Sequence, residues 1–367
     1  MWPQPHRKLP APSTKPAWGL TAKGAKTVKL KDMGEFALIQ HLTRNMRAYD
    51  STVVLGIGDD AAAIRIAERK YVLLTCDMLV DGSHFWRERI TPGQLGHKAL
   101  AVSLSDIAAM GGIPRYVLIS AGWPANLELE YAEGIYQGMA GLAAAHGVFV
   151  IGGDTVSTPQ LILDVTVMGE MEEKPVTRSG AKIGHVFAVT GSIGASAAGL
   201  ALLHKGICAG SYFPETMRQA LLKSHLLPQP RVKEGGILLK TGRPSAMIDI
   251  SDGLASEVHH ICEGSGVGAE IYLSRLPVHE DVKRAGDLLG KDYLNWALHG
   301  GEDYELLVTL SEDDVFAVQK ELRQLSVDFS IIGKVVDQKN GVKLFLDEGK
   351  AVNLAKKGYD HFSHTPD

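Results

Sequence analysis

Residues 55–64 read LGIGDDAAAI, which places two adjacent carboxylates between a glycine pair and a run of small apolar residues. The apolar residues from Val53 onward predict the end of a buried strand, and the glycines let the backbone turn tightly there. Two unit charges ~5 Å apart repel by roughly 3 kcal/mol at an effective dielectric of 20. Asp59 and Asp60 therefore indicate a bound cation or a shared proton. An Asp-Asp turn that caps the next segment is the structural alternative.

Three later segments repeat the order of apolar run, small residue and aspartate. They are the strand predicted at 71–77, VFVIGGDT at 148–155 and AMIDISDG at 246–253. The acids they carry are Asp77, Asp154, Asp249 and Asp252. An N-cap role alone would explain Asp252, but it leaves Asp249 unexplained.

A further aspartate falls inside a predicted helix over residues 96–110, GHKALAVSLSDIAAM. Asp106 follows Val102 by four residues and so lies near the apolar stripe of that helix. An acid in such a position is uncommon unless it has a partner. We interpret Asp106 as a functional residue in preference to a satisfied structural one.

Length and composition favour two globular domains. A chain of 367 residues exceeds one ordinary core, and 45% hydrophobic residues suffice to fill two. The net charge of -4 gives no basic field for nucleic acid. Three widely spaced cysteines disfavour a disulfide framework or a zinc site, so a cytoplasmic protein is expected. No stretch reaches the ~18 to 20 apolar residues that cross a bilayer.

Residues 1–32 stand apart as a basic, proline-rich segment with almost no apolar periodicity. Such a segment cannot bury enough surface to order itself. It lacks the apolar core of a secretory signal, and a transit peptide is a weaker alternative. Met33 is a possible alternative start of the chain.

The remaining pattern predicts an α/β protein with an N-terminal domain over 33–175 and a C-terminal domain over 176–362. Pro175 marks the boundary. The second domain begins with a strand at 186–190 and a glycine-rich turn that leads into a helix. That turn is similar to a phosphate-holding helix N-terminus, although glycine-rich turns are common.

The acids at these positions define the expected chemistry. All are oxygen ligands, and oxygen clusters without His or Cys favour Mg²⁺ over zinc. Magnesium in enzymes is usually shared with substrate phosphates, which indicates nucleotide chemistry. The chain contains no G-x-x-x-x-G-K-[ST], no G-x-G-x-x-G and no H-R-D, so a P-loop enzyme or a protein kinase is disfavoured.

A specific resemblance emerges from the order of eight segments. They are GIGDDAA, TCDMLVDGSHF, ALAVSLSDIAAMGG, IGGDT, TRSGAK, IDISDGL, GGEDYEL and KGYDHF. Their order and spacing resemble those of bacterial thiamine-monophosphate kinase over about residues 33–362. The GDD and GGD elements specify only the superfamily with the fold of aminoimidazole ribonucleotide synthetase, whereas GGEDYEL and KGYDHF are more selective.

The resemblance implies transfer of the γ-phosphoryl group of ATP to thiamine monophosphate, with several Mg²⁺ ions and no covalent nucleophile. It also implies a mixed α/β fold and a homodimer formed through the N-terminal sheet. The Mg²⁺ ligands implied are Asp60, Thr75, Cys76, Asp77, Asp106, Asp154, Asp249 and Asp252. The ATP contacts implied are Gly153, Asp154, Arg178 and Ser251. The contacts implied for thiamine monophosphate are His84, Glu302 and Tyr359.

Two departures from the family pattern accompany these expectations. Cys76 stands where the family usually has a hydroxyl residue, which leaves its carbonyl as the expected ligand, and the basic segment before Met33 has no family counterpart. The resemblance implies Asp60 as the ligand in preference to Asp59. Another ATP-using synthetase of the superfamily, or a catalytically silent Mg-nucleotide-binding protein, is the alternative. Against selenophosphate synthesis, no reactive cysteine lies in a glycine-rich N-terminal segment.

Overall fold

The computed structural model describes residues 35–44, 50–207, 212–347 and 349–359. Two β-sheets and the helices packed on them make up this part of the chain. The predicted tail over 1–32, Met33 and the last three residues of the KGYDHF segment lie outside the described residues. The mixed α/β class with two sheets is confirmed, and the boundary predicted near Pro175 stays a prediction.

The first sheet has six strands in the order β1-β2-β3-β6-β4-β5. Every neighbouring pair is antiparallel except β4 and β5, which are parallel. The strands are β1 Val53–Leu55, β2 Ala62–Ala67, β3 Lys70–Val80, β4 Ile113–Trp123, β5 Phe149–Ser157 and β6 Ile162–Met171. The helices in this half of the chain are α1 Glu35–Thr43, α2 Pro92–Ala109 and α3 Leu129–His146.

Helix α2 is the central element of the molecule. It begins with a capping box, because Thr91 accepts from the backbone N–H of Gln94 while the Gln94 side chain accepts from the Thr91 N–H. It packs on β3 and β6 on one side and reaches β8 and α6 of the second half on the other. Gly96 allows α3 to pack closely, since a Cβ there would lie 1.9 Å from the Ile135 carbonyl oxygen. Side chains of α2 can therefore reach both sheets.

The second sheet has seven strands in the order β13-β12-β9-β11-β7-β10-β8. Only the β12–β9 pair is parallel. The strands are β7 Val186–Thr190, β8 Ala246–Asp249, β9 Val267–Tyr272, β10 Leu306–Leu310, β11 Phe329–Asp337, β12 Val342–Phe345 and β13 Ala351–Asn353. The helices are α4 Ala195–His204, α5 Glu215–Leu226, α6 Val232–Ile237, α7 Leu254–Ser265, α8 Glu280–Leu289, α9 Tyr293–His299 and α10 Glu312–Gln324.

The two sheets are buried differently. The second sheet has an apolar core on each face, one around Phe187 and Ile248 and one around Ala188 and Met247. The first sheet has its core on the α2 face, and apolar side chains on its other face, such as Leu118, are exposed. Among the helices within the described residues, none has the length and hydropathy required to cross a membrane.

Several local predictions are wrong in an informative way. The buried strand predicted up to Ile57 is the short edge strand β1, and Ile57 itself is exposed. Strands β3 and β5 run on to Val80 and Ser157, so Asp77 and Asp154 lie within strands and not at their ends. Asp249 does end β8, as predicted.

The N-cap alternative for Asp252 is also wrong. Gly253 is the N-cap of α7, with φ +120° and no side-chain cap. Only glycine adopts that backbone conformation readily. The Asp252 backbone instead donates its N–H to Glu257 Oε1 (3.1 Å) and accepts at its carbonyl from the Tyr359 N–H (3.1 Å). A purely structural cap therefore does not account for Asp252.

Candidate active site

Carboxylates from both halves of the chain meet beside α2. We refer to five of them as the acid cluster. These are Asp59, Asp60, Asp77, Asp106 and Asp249. They come from the loop after β1, from β3, from α2 and from the end of β8. The fold thus brings together residues up to 190 positions apart in sequence.

Hydroxyl groups hold three of these acids in place. Thr75 Oγ1 donates to Asp106 Oδ2, which links β3 to α2. Ser103 Oγ lies 2.8 Å from Asp77 Oδ2. Ser105 Oγ donates to Asp249 Oδ2 at 2.6 Å and so joins α2 to the second sheet. The predicted assistance of Thr75 at this site is thus consistent with its position beside Asp106.

Arg178 is the cation of the acid cluster. Its Nη2 lies 2.7 Å from Asp60 Oδ1, and its backbone N–H donates to Asp59 Oδ1 at 3.2 Å. Both aspartate side chains are only 4% exposed, against 17% for Arg178. The GDD segment and the TRSGAK segment are therefore in direct contact, as expected of residues that share a site.

One guanidinium does not balance five buried carboxyls. Burial raises the pKa of Asp60 well above its usual value, and the charges of Asp249 and Asp59 raise it further against the opposing effect of Arg178. Burial also raises the pKa of Asp106, with added repulsion from Asp77 and Asp249. Burial raises the pKa of Asp249 to about 6. The cluster therefore favours protonation or a further cation.

An unpaired oxygen indicates where that cation would bind. Asp60 Oδ2 is buried and has no hydrogen-bond partner. A buried carboxylate oxygen without a partner costs free energy that a hard cation would recover. In the conformation of the described residues, no three His, Cys, Asp or Glu side chains close on one point as a metal site. The donor types fit Mg²⁺, and Arg178 lies against two of the acids.

Other predicted ligands lie outside the acid cluster. Asp154 is exposed on β5 and accepts from the Thr155 N–H (2.8 Å). Strand β5 is three strands away from β3, about 14 Å at the usual strand spacing. Gly153 on the same strand has φ +154°, and a Cβ there would collide with the Ile119 backbone. The structure therefore does not bring Asp154 together with the buried acids.

Cys76 points away from the acid cluster. Side chains alternate along a strand, so Cys76 lies on the opposite face of β3 from Thr75 and Asp77. It is exposed on the open face of the first sheet. Its side chain cannot join the buried acids, whereas its backbone carbonyl is not restricted in this way. This agrees with the doubt raised by the loss of a hydroxyl at this position.

The three residues expected to contact the acceptor share one neighbourhood. The Tyr359 hydroxyl is hydrogen-bonded to Ser83, next to His84. Burial raises the pKa of Tyr359, and the charge of Glu302 adds to this effect. The Val80 N–H donates to His84 Nδ1 at 3.0 Å, which orients the ring.

The loop that carries Glu302 is held tightly. The Glu302 N–H donates to the Ser251 carbonyl (2.7 Å), and the Tyr304 N–H donates to the Ile250 carbonyl (2.9 Å). Glu302 and Tyr304 both have positive φ, +65° and +51°. Non-glycine residues in this region are strained and concentrate at functional sites. The GGEDYEL segment therefore lies against the IDISDGL segment, and Ser251 is part of their junction.

Two residues beside Glu302 were not predicted from the sequence. The Lys98 ammonium, 1% exposed, lies 2.9 Å from Glu302, and His225 Nδ1 lies 3.1 Å from Glu302 Oε2. The helix spacing contained a signal for Lys98, since it precedes Asp106 by eight residues and so shares its face. No sequence pattern marked His225, which comes from α5.

The glycine-rich turn before α4 proved to be structural. Asp303 Oδ2 accepts from the Gly194 N–H (2.7 Å), and Asp303 Oδ1 accepts from the Ser196 N–H (3.2 Å). An internal carboxylate therefore occupies the helix N-terminus that resembled a phosphate site. Burial raises the pKa of Asp303 to about 7, against the lowering effect of these two N–H groups.

Comparison with known proteins identifies the class. Residues 58–171 match the N-terminal domain model of AIR synthase related proteins, and residues 182–344 match the C-terminal domain model. The fold and the acid-rich junction between its sheets thus define a two-domain AIR synthase related protein.

Relatives that match over nearly their whole length show which family of this class the chain belongs to. The thiamine-monophosphate kinase of Bacillus subtilis (strain 168) is 39% identical over 332 residues, which is 90% of this chain and 100% of the relative. The thiamine-monophosphate kinase of Escherichia coli (strain K12) is 38% identical over 331 residues, 90% of this chain and 98% of the relative. The chain belongs to the thiamine-monophosphate kinase family.

Solved structures of proteins in this family have a similar fold. The structure of AaThiL complexed with AMPPCP and TMP has a TM-score of 0.79 and 33% sequence identity, covering 92% of this chain and 100% of that chain. The thiamine monophosphate kinase from Aquifex aeolicus has a TM-score of 0.73 at 32% identity, covering 89% of this chain and 100% of that chain.

Proposed function

We propose that the protein transfers the γ-phosphoryl group of ATP to thiamine monophosphate and forms thiamine diphosphate and ADP. The family relatives support this reaction, and one family structure binds AMPPCP, an ATP analogue, together with TMP. The observation that carries the proposal is the acid cluster, whose buried carboxyls have one arginine between them and an unpaired oxygen on Asp60. Such a cluster suits the Mg²⁺ ions that accompany a nucleotide, since these ions would offset the charge of the carboxylates.

The residues proposed to hold Mg²⁺ are Asp60, Thr75, the carbonyl of Cys76, Asp77, Asp106, Asp154, Asp249 and Asp252. Bound Mg²⁺ would neutralise the repulsion between the triphosphate and the acceptor phosphate. The protein's own contribution is orientation, because Thr75, Ser103 and Ser105 fix three of the carboxylates before any ligand binds.

Arg178, Ser251 and the Gly153–Asp154 pair are the proposed ATP contacts. Arg178 has a second task in the described conformation, since it neutralises Asp60 and Asp59. With Mg²⁺ bound to these acids, the Arg178 guanidinium would be available for phosphate oxygens, for which its planar donors are well suited. His84, Glu302 and Tyr359 would contact thiamine monophosphate.

Transfer is proposed to be direct. The bond between the γ-phosphorus and the β–γ bridging oxygen breaks, and a bond forms from that phosphorus to an oxygen of the acceptor phosphate. The acceptor is already an anion and needs no general base. Acids engaged with metal are poor nucleophiles, so no phosphoenzyme is required. The site then supplies orientation and charge neutralisation.

A homodimer formed through the first sheet is part of the proposal. The open face of that sheet exposes apolar side chains, including Met78, Tyr116 and Leu118. An apolar sheet face without covering helices is typical of an interface. Leu118→Glu should lower the mass measured by sedimentation equilibrium from two chains to one. A wild type that sediments as a single chain would contradict the dimer.

The function is tested by following ADP and thiamine diphosphate with purified protein, ATP, MgCl₂ and thiamine monophosphate. We expect one thiamine diphosphate per ADP and loss of both products when EDTA is added. Turnover of ATP with another small acceptor, and none with thiamine monophosphate, would overturn the proposal.

The direct mechanism has its own test. The enzyme is incubated with γ-labelled ATP and Mg²⁺ without acceptor, and the protein is then separated and counted. We expect no stoichiometric label. Label on the protein that moves into thiamine diphosphate when acceptor is added would establish a phosphoenzyme.

A further inference from the structure

A buried lysine from the first half of the chain holds the loop of the second half that carries Glu302. Lys98 lies on α2, its side chain is 1% exposed, and its Nζ is 2.9 Å from Glu302. A lysine ammonium is almost never fully buried without a partner, because removing it from water is costly. Glu302 is that partner, and the pair therefore ties α2 to the 300–305 loop.

His225, on α5, also contacts Glu302. Its Nδ1 lies 3.1 Å from Glu302 Oε2 and 3.1 Å from Ser196 Oγ, and its Nε2 lies 3.4 Å from Lys98 Nζ. Burial and the charge of Lys98 lower the pKa of His225, so the ring is neutral at pH 7. A neutral ring next to a lysine–glutamate pair limits carboxylate rotation without adding charge.

The Glu302 carboxylate is fixed but remains accessible. Its side chain is 28% exposed, its backbone is anchored to Ser251, and its charge acts on Tyr359. Although burial alone would raise the pKa of Glu302, Lys98 and His225 hold it well below its usual value. The other titratable groups around it are Asp303, Tyr304 and Tyr359.

We infer that Lys98 and His225 are positioning residues that hold the Glu302 carboxylate, as an anion in one orientation, toward the cationic ring of the acceptor. This rests on the proposed function, because thiamine monophosphate carries a permanent positive charge on its thiazolium ring. An anion aimed at that ring attracts the acceptor, whereas a protonated or rotated carboxyl does not. Lys98 reaches from the helix that also carries Asp106, so one helix positions elements of both substrate sites.

The test measures the KM for thiamine monophosphate at saturating ATP between pH 5.5 and 8.5. Wild type should show no change in acceptor KM caused by Glu302, since its carboxyl stays ionised throughout. In Lys98→Met the carboxyl loses its nearest cation while staying buried, so its pKa rises. We expect an acceptor KM about tenfold higher at pH 7, rising further as the pH falls, with the KM for ATP changed less than twofold. Lys98→Arg should restore most of the affinity.

Two controls separate positioning from structure. The double variant Lys98→Met/Glu302→Gln has no buried charge left unpaired, so it should keep the high acceptor KM but lose its pH dependence. Arg231→Met breaks a different buried pair, with Glu305, and should lower the melting temperature without changing the pH profile of acceptor KM. His225→Asn should raise the acceptor KM by about threefold.

The possible failures are distinguishable. If wild type does not phosphorylate thiamine monophosphate, the proposed function fails. If wild type is active but Lys98→Met shows a parallel pH profile, or raises both KM values equally, Lys98 is only a structural tie and the inference is wrong. A Lys98→Met chain that does not fold leaves Lys98→Arg and the double variant to decide by the same two criteria.

Discussion

Two buried acidic sites in this molecule differ in how their charge is balanced. In the first, Arg231 donates to Glu305 twice, at 2.7 Å from Nε and 2.5 Å from Nη2, and Thr190 Oγ1 donates a third hydrogen bond at 2.7 Å. Gly191 makes room for this carboxylate, since a Cβ there would lie 2.1 Å from Glu305 Oε1. This Glu305 site is complete within the chain.

The acid cluster is the opposite case. Arg178 contacts two of the five acids, Asp59 and Asp60, and Asp60 Oδ2 has no hydrogen-bond partner. A buried ion pair whose hydrogen bonds are all made stabilises the fold, whereas a buried carboxylate with an unpaired oxygen can still bind a ligand. The extent to which the buried carboxylates are hydrogen-bonded, and not the number of acids, therefore separates the functional site from the structural one.

The largest effect is expected at the Glu305 site. Arg231→Met leaves Glu305 buried without its cation, and breaking such a pair costs about 4 kcal/mol of folding free energy. Urea unfolding should show this loss. Arg231→Met/Glu305→Gln should recover part of it, because Glu305 then carries no charge, and only part, because Glu234 still lacks its partner Arg231. If the single variant unfolds at the same urea concentration as wild type, the Glu305 site is not the structural member of the comparison.

Asp106→Asn should lower turnover without lowering stability, the opposite of Arg231→Met. Turnover should fall at least ~10²-fold, about 2.7 kcal/mol of transition-state stabilisation. The melting temperature without Mg²⁺ should stay unchanged or rise, since the amide removes repulsion from Asp77 and Asp249. Asp287→Asn, at an exposed position of α8, is the matched control and should keep turnover within about twofold.

Asp154→Asn tests whether Asp154 belongs to the same metal site as Asp106. Sequence resemblance predicts a loss of turnover similar to that of Asp106→Asn, yet Asp154 lies on the exposed edge strand β5. Steady-state kinetics at saturating ATP will decide between the two observations. Normal turnover in this variant would restrict the metal site to the acids beside α2.

Much of this architecture could be predicted from local pattern. Strands such as 186–190 and the helix around Asp106 follow from apolar periodicity, and the resemblance of ordered segments supplied the family. What failed depends on tertiary context. The exposure of Ile57 and the continuation of β3 beyond Asp77 depend on which strand lies at the sheet edge, and no residue pattern encodes that.

The residues of the candidate site also fall into those predicted from local pattern and those that depend on tertiary context. Acids within recognisable segments could be proposed from sequence, including Asp60, Asp106 and Asp249. Their partners could not, because Ser105 meets Asp249 and His225 meets Glu302 only after the two halves pack together. Likewise, the glycine-rich turn before α4 resembled a phosphate site until Asp303 was seen to fill it.

Asp303 gives a smaller, pH-dependent effect. Burial raises its pKa from 3.8 to about 7 in the folded protein, so the folded state binds the proton more tightly than the unfolded state. This contribution to stability is present in full below pH 3.8 and is lost as the pH rises towards about 7. Thermal melts of Asp303→Asn and wild type should therefore diverge in favour of the variant from pH 5 to pH 8. A constant difference would show that Asp303 is ionised throughout.

The smallest effect is expected from the basic segment before Met33. Its five prolines and seven lysines and arginines lack an apolar stripe, so it offers no surface to bury against either sheet. A chain that begins at Met33 should therefore match the full chain in melting temperature, turnover and both KM values. Differential scanning calorimetry of the two chains is the direct measurement, with Arg231→Met as a variant of known sensitivity. A decrease of several degrees on truncation would mean that residues 1–32 pack on the body, since loss of a solvated segment alone has no such effect.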